Sequence, residues 1–418
     1  MVRDPHDRPA SASGEARPIP RIAVQAFCET DEVVAALEGA ATDRRMARAH
    51  VKVQKGGLAA AVTFYGSAPT PNLVIVECSG KSDDVLDLLD RLADVCDPGT
   101  KVLVIGHIND VLFYRELIRR GVSEYVVAPV DLFDVLRTIG DLYYRPEAAP
   151  VGRSIAFFGA RGGCGASTIA HNVAWTIART WDHDVVITDL DLAWGTAALD
   201  LNQDATQGAL EALTSPDRVD EVFFDRLLTK CSDRLSVLAA PALVDRTYDF
   251  EEIAFDPLIE IARASVPVVV LDLPHQWSGW VRRQLWEADE VVLVAGPDLA
   301  DLRNAKNIVD VLRAARPNDA PPRLVFNATG MPKRPEIKLH EFAKALDLPI
   351  TANIPFDAAL FGNAANKGQM IGEIDGKHAI AEIFRDLATI VTGRGEVRRP
   401  KRSTFAPLLE RLRLRRAS

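Results

Sequence analysis

Between Arg21 and Tyr144, short apolar runs alternate with amphipathic segments. The runs are RIAVQAFC (21–28), AHVKVQ (49–54), NLVIVEC (72–78), KVLVIG (101–106) and EYVVAP (124–129). Their length and bounding polar residues predict strands. Between them, DEVVAALEGAA (31–41), DDVLDLLDRLADV (83–95) and DVLFYRELIRRG (110–121) predict helices. Five β-α units of this kind imply a doubly wound parallel sheet. The Pro- and Gly-bearing stretch RPEAAPVG (145–152) is expected to be a linker. Beyond it, SIAFFG, DVVITD, LSVLAA, VPVVVLD, EVVLVAG, RLVFNA and PITANI are short and continuously apolar. They predict a second parallel sheet, covered on both faces, within 153–393. The fold class is therefore α/β, with two doubly wound domains at 21–144 and 153–393. Residues 1–20 are expected to form a disordered leader, and 394–418 a basic amphipathic tail.

Composition narrows the setting. With 418 residues, 48% of them hydrophobic, the chain can build two cores. The five cysteines are scattered without a CxxC pair, which fits a reducing cytosol better than a disulfide framework or a zinc site. The charged, Pro-rich start MVRDPHDRPASASGEARP has no apolar core of the kind a secretion signal needs. No apolar run approaches the ~20 residues that span a bilayer. The expectation is a soluble cytoplasmic protein, or one resting on a membrane surface. Residues 394–418 hold nine Lys/Arg against two Glu, so a chain total of −9 leaves −16 on the rest. An acidic body speaks against non-specific nucleic-acid binding. In the tail, Phe405, Leu408, Leu409 and Leu412 form one apolar stripe if helical, with arginines beside it. Such a segment suits an anionic membrane surface or a partner.

The candidate chemistry centres on GARGGCGAST (159–168). SIAFFG is the strand before it and TIAHNVAWTIART the helix after it, which is the context a phosphate loop requires. Glycines 159, 162, 163 and 165 allow a tight turn whose backbone N–H groups point at an anion. Ser167 is placed to offer its hydroxyl to a magnesium ion. The position before it, where a phosphate loop carries lysine, is Ala166, and Arg161 puts a cation five residues earlier. Downstream, Asp189 and Asp191 close a strand where carboxylates can orient a water and a metal shell. Asp272 ends the hydrophobic strand VPVVVLD, the place for a second metal-shell carboxylate. His171 and His275 lie near these elements, and a lone histidine there is more often a structural hydrogen-bonder than a catalyst.

Taken together, RGGCGAS (161–167), DLDLAWGTAALDL (189–201) and VLDLP (270–274) resemble the deviant-Walker ATPases of the ParA/MinD group. NIPFDAALFGNAANKGQMI (353–371) is similar to that group's nucleotide-base loop. The resemblance implies ATP and Mg²⁺ as cofactors. It implies nucleotide contacts from Gly162, Gly163, Cys164, Gly165, Ala166, Ser167 and Thr168, with Asn327 and Pro355 at the base. It also implies catalytic roles for Arg161, Asp191 and Asp272, metal binding by Ser167, Asp189 and Asp272, and a homodimer. In the group, the lysine matched by Arg161 reaches the partner's phosphates, and arginine keeps that charge with a different reach. The lysine matched by Ala166 is lost, so hydrolysis should suffer more than binding, leaving a slow ATPase at most.

Residues 21–144 resemble a response-regulator receiver domain stripped of its chemistry. The first strand ends in Ala26 and Phe27, the third in Glu77, the fourth in Gly106, and the fifth in Ala128 before Pro129. No acidic pair, phosphoacceptor Asp or reading Lys is in place. Glu77 can mimic a phosphorylated state, but a solvated strand end is the simpler expectation. This domain is expected to be a docking or dimerisation module. A receiver-like domain followed by a lysine-less ParA/MinD-like domain resembles the CpaE/TadZ family of Flp (tight-adherence) type IV pilus assembly proteins. That resemblance implies a polar or inner-membrane-proximal assembly factor working with a pilus motor ATPase and platform proteins. An active positioning ATPase on a membrane or DNA is the competing function, and a phospho-signalling regulator a third.

Overall fold

The structure is a computed structural model and describes residues 19–97, 99–143 and 151–393. The expected tail, most of the leader and most of the linker therefore lie outside the described residues. The chain divides into two compact units, Met1–Ala149 and Pro150–Ser418.

The first unit runs β1 (Ala23–Cys28), α1 (Asp31–Thr42), β2 (His50–Lys55), α2 (Gly57–Tyr65), β3 (Leu73–Cys78), α3 (Ser82–Ala93), β4 (Lys101–Gly106), α4 (Val111–Arg119), β5 (Glu124–Val127) and α5 (Leu132–Tyr143). The strands pair in parallel in the order β2-β1-β3-β4-β5, the doubly wound order of flavodoxin-like sheets. Alternation along the strands sorts side chains into two layers. Val24, Ala26 and Cys28 pack with α1 and α5 on one face. Phe27, Val74 and Val76 pack with α2, α3 and α4 on the other. β3 is central and wholly buried, which is why its sequence is continuously apolar up to Glu77. Thr30 caps α1 by accepting from the Val33 N–H, and Asp110 caps α4. Ile19, placed by sequence in the leader, is 3% exposed and joins this core.

The second unit opens with β6 (Arg153–Gly159), α6 (Ala166–Trp181) and β7 (Val185–Asp189). It continues with β8 (Thr229–Lys230), β9 (Leu235–Leu238), β10 (Val268–Asp272), β11 (Glu290–Ala295), β12 (Arg323–Thr329) and β13 (Ile350–Pro355). The sheet order is β13-β12-β11-β6-β10-β7-β9-β8. All seven apolar runs are strands. The two-residue β8, antiparallel to β9, is additional, and nothing in its Thr-Lys sequence announces it. β6 lies between β10 and β11, so the chain winds away from it in both directions. Ligand sites of such sheets sit at the carboxyl ends of the strands at this switch point. α6 is buried through most of its length, with Ile169, Ala170, Val173, Ala174 and Ile177 against the sheet. It also packs against the helix Ala379–Val391.

Candidate nucleotide site

The loop after β6 is shaped by glycines and held by side chains from the segment after β10, the helix Leu299–Ala315 and β12. Gly163 (φ 80°) and Gly165 (φ 89°) adopt the left-handed region, and Gly165 caps α6. A Cβ on Gly165 would meet Asn327 Nδ2 at 2.3 Å, whereas one on Gly163 would meet nothing within 4 Å. The first glycine is therefore pressed against the protein and the second faces open space. The Asn327 amide donates to the Cys164 carbonyl (2.8 Å). Asn304 donates to the Ala160 carbonyl (2.9 Å), and His275 Nδ1 to the Gly159 carbonyl (3.0 Å). Gly165→Ala combines a forbidden φ with this contact. It should cost about 1–2 kcal/mol in chemical denaturation followed by tryptophan fluorescence.

Arg161 is held within its own chain. Its guanidinium donates to Asp298 Oδ2 (2.9 Å) and lies 3.1 Å from the buried Asp301 Oδ1, without hydrogen-bond alignment. Burial pushes the Asp301 carboxyl above the ordinary carboxylate range. Both acids belong to the first turn of the helix Leu299–Ala315, where Asp298 is the cap. Cys164 is partly buried, which raises its thiol pKa, and it contacts the Val294 carbonyl.

At the head of α6, the Ser167 hydroxyl donates to Asp272 Oδ1 (3.1 Å). The other Asp272 oxygen accepts from His171 Nε2 (3.1 Å), and His171 Nδ1 donates to Asp200 (2.9 Å). His171 is fully buried. Burial opposes its charge, but the two carboxylates outweigh burial and hold the imidazole up at about 10. Asp189 is also buried, and both its oxygens accept backbone N–H groups, from Asp191 (3.2 Å) and Ala197 (2.9 Å). Burial and the Asp272 charge push the Asp189 carboxyl up to about 7. Burial likewise raises Asp191, whose carboxylate accepts from the Trp194 N–H.

The fold thus gathers Arg161 through Thr168, Asp189, Asp191, Asp272 and Asn327 at the carboxyl end of the sheet. Pro355 ends β13 in register with Thr329, and no described contact joins it to the loop. Ala166 begins α6 and brings no charge.

No known protein-family profile matches the chain. Among solved structures, the pilus assembly protein CpaE of Caulobacter crescentus CB15 is 53% identical over 98% of its own length and 31% of this chain, with a TM-score of 0.30. The CpaE2 pilus assembly protein of Sinorhizobium meliloti 1021 is 41% identical over 99% of its length and 29% of this chain, with a TM-score of 0.29. This chain belongs to the CpaE family. The sequence identity carries that assignment. A ParA family ATPase from Chlorobium tepidum TLS covers 57% of this chain and 98% of its own, at 23% identity and a TM-score of 0.51, which shows the fold alone.

In this CpaE-family chain, sequence reasoning missed the acids around Arg161 and the histidine link to Asp200. Asp298 and Asp301 follow a different strand, well over a hundred residues from the loop, and no local pattern points to them. The first unit holds a third such case. Glu77 is not a solvated strand end: it is fully buried. Its carboxylate accepts from the Glu29 N–H (2.6 Å), the Thr30 N–H (2.8 Å) and the Thr30 hydroxyl (2.7 Å). The His107 ring lies 3.2 Å away. Burial raises the Glu77 carboxyl, and these hydrogen bonds, led by Thr30, overcome it and leave it below the ordinary range. Among the described residues, no helix is long and apolar enough to cross a membrane.

Proposed function

We propose that this chain is an ATP-binding assembly factor for a Flp-type pilus machine, acting as a dimeric scaffold with weak or absent hydrolysis. The observation that carries the reading is a loop pre-shaped for an anion at the N-terminus of a 16-residue helix, with Ser167 bonded to Asp272. Backbone N–H groups and the helix dipole favour phosphate there. The donor set suits magnesium: a hydroxyl and a carboxylate are hard oxygen ligands, and magnesium takes few protein ligands beside phosphate and water. Among the described residues, no cluster of three or more His, Cys, Asp or Glu forms a cage for a metal. Ser167 and Asp272 would hold the ion, with Asp189 behind them, and the ion would neutralise phosphate charge. Asn327 and Pro355 would line the base. Asp191 would orient a water.

Weak hydrolysis follows from charge. The backbone can hold the ground state, but charge developing on the transferred phosphoryl meets no lysine at Ala166, and Arg161 is committed to Asp298 and Asp301. A homodimer is supported by apolar side chains left exposed on the segments that follow the strand ends around the site, including Trp194, Trp277 and Leu299, the first residue of its helix. The receiver-like unit (21–144) would serve as a docking module. The tail 394–418 would meet an anionic membrane or a partner, placing the protein at the cytoplasmic face of the inner membrane beside the motor ATPase and platform proteins. Calorimetric titration with Mg·ATP tests the core of this proposal. Saturable binding is expected, with a loss of at least about tenfold in affinity in Ser167→Ala, on the scale of one charge-assisted hydrogen bond (~1.5–3 kcal/mol). Absence of binding in the unaltered chain would end it.

A further inference from the structure

His171 is a buried polar group that nucleotide binding, as proposed, leaves unused. It sits in the second turn of α6, and both ring nitrogens are engaged by carboxylates from different elements. The chain of bonds is continuous. Ser167 donates to one oxygen of Asp272, His171 donates to the other, and the far side of the same ring donates to Asp200. Asp200 also accepts from the Thr196 hydroxyl (3.1 Å). Asp189 grips the same segment through the Asp191 and Ala197 N–H groups. Between these grips the segment carries Trp194 and Leu199, which are 72% and 70% exposed.

We infer that His171 is a positioning residue that links the Ser167–Asp272 pair to the placement of residues 191–200. The inference rests on the ATP-binding proposal. Asp272 has a single carboxylate plane, with Ser167 on one oxygen and His171 on the other. A ligand that draws Ser167 or turns that plane must shift or break the bond to His171. The ring is rigid and fully enclosed, so it passes a displacement on to Asp200 instead of absorbing it by a rotamer change.

The test is hydrogen exchange of the 191–200 backbone in the full chain, with and without Mg·ATP, beside a calorimetric titration of each variant. The variants are His171→Gln and Asp200→Ala. The second cuts the link at its half-buried outer end and leaves Ser167, Asp272 and His171 in place, so it decides the question if the first does not fold. In the unaltered chain, Mg·ATP should slow exchange at 191–200 by about fivefold, the size of a modest coupling. In the variants, Mg·ATP should still bind but leave exchange there unchanged. A full nucleotide response in Asp200→Ala would overturn the inference, and so would binding by the unaltered chain with no response at 191–200. No binding by the unaltered chain would instead remove the ATP-binding proposal on which the inference stands.

Discussion

Glu77→Ala should unfold the first unit early while leaving the second untouched. The substitution strips the acceptor from two backbone N–H groups and a threonine hydroxyl, and it takes the partner from His107. Leaving part-buried donors unpaired costs at most roughly 1–3 kcal/mol each, so a net loss of about 2–4 kcal/mol is expected. That is a large share of the ~5–15 kcal/mol that holds a typical domain. The sequence supplies a clean readout, because all six tryptophans (175, 181, 194, 277, 280 and 286) lie in the second unit. Circular dichroism should show an earlier first transition, and tryptophan fluorescence should show its usual one. The pH dependence has a definite sign. The folded carboxyl lies below its ordinary value, so its contribution is present above the unfolded pKa and fades as pH falls through the folded one. Acid should therefore weaken the first unit of the unaltered chain and have less effect on Glu77→Gln. Equal acid sensitivity in both would remove Glu77 from this role.

Ala166→Lys should raise ATP turnover by up to about a hundredfold, the scale on which single groups that stabilise transition-state charge act. Ala166 is the first residue of α6, partly exposed and directly before Ser167. A lysine there would reach the space over Gly163, where nothing lies within 4 Å of a hypothetical Cβ. Arg161 is held by Asp298 and Asp301 beside the helix Leu299–Ala315 and is expected to leave that space unfilled. Steady-state phosphate release from both proteins decides the matter. An unaltered chain already as fast as the lysine variant would show that the missing charge is supplied elsewhere, and weak hydrolysis would have to be abandoned.

The legibility of the sequence followed the range of the forces involved. The strands declared themselves because sheets covered on both faces demand unbroken apolar runs such as LVIVEC and VVVLD. The loop declared itself because its turn needs glycine at positions like Gly163 and Gly165. β8 was silent, since two residues held by backbone bonds to β9 leave no side-chain pattern. Glu77 was misleading. An acid at a strand end usually faces water, and only the turn after β1, folding its N–H groups over the carboxylate, makes burial tolerable. His171 was visible as a histidine in a helix, but the carboxylates on its two sides come from β10 and from the short helix Ala197–Asp200, which only the assembled sheet brings together.

The loop carbonyls of Gly159, Ala160 and Cys164 are each bound by a side chain from elsewhere in the second unit, His275, Asn304 and Asn327. The conformational entropy of shaping the loop is therefore lost when the domain folds and not when a ligand arrives. A site ordered in advance keeps more of its contact energy as affinity. It also accounts for the loop keeping its form with alanine at position 166: its geometry is a property of the scaffold, so substitutions among the charged groups around it can alter the local charge without collapsing the turn.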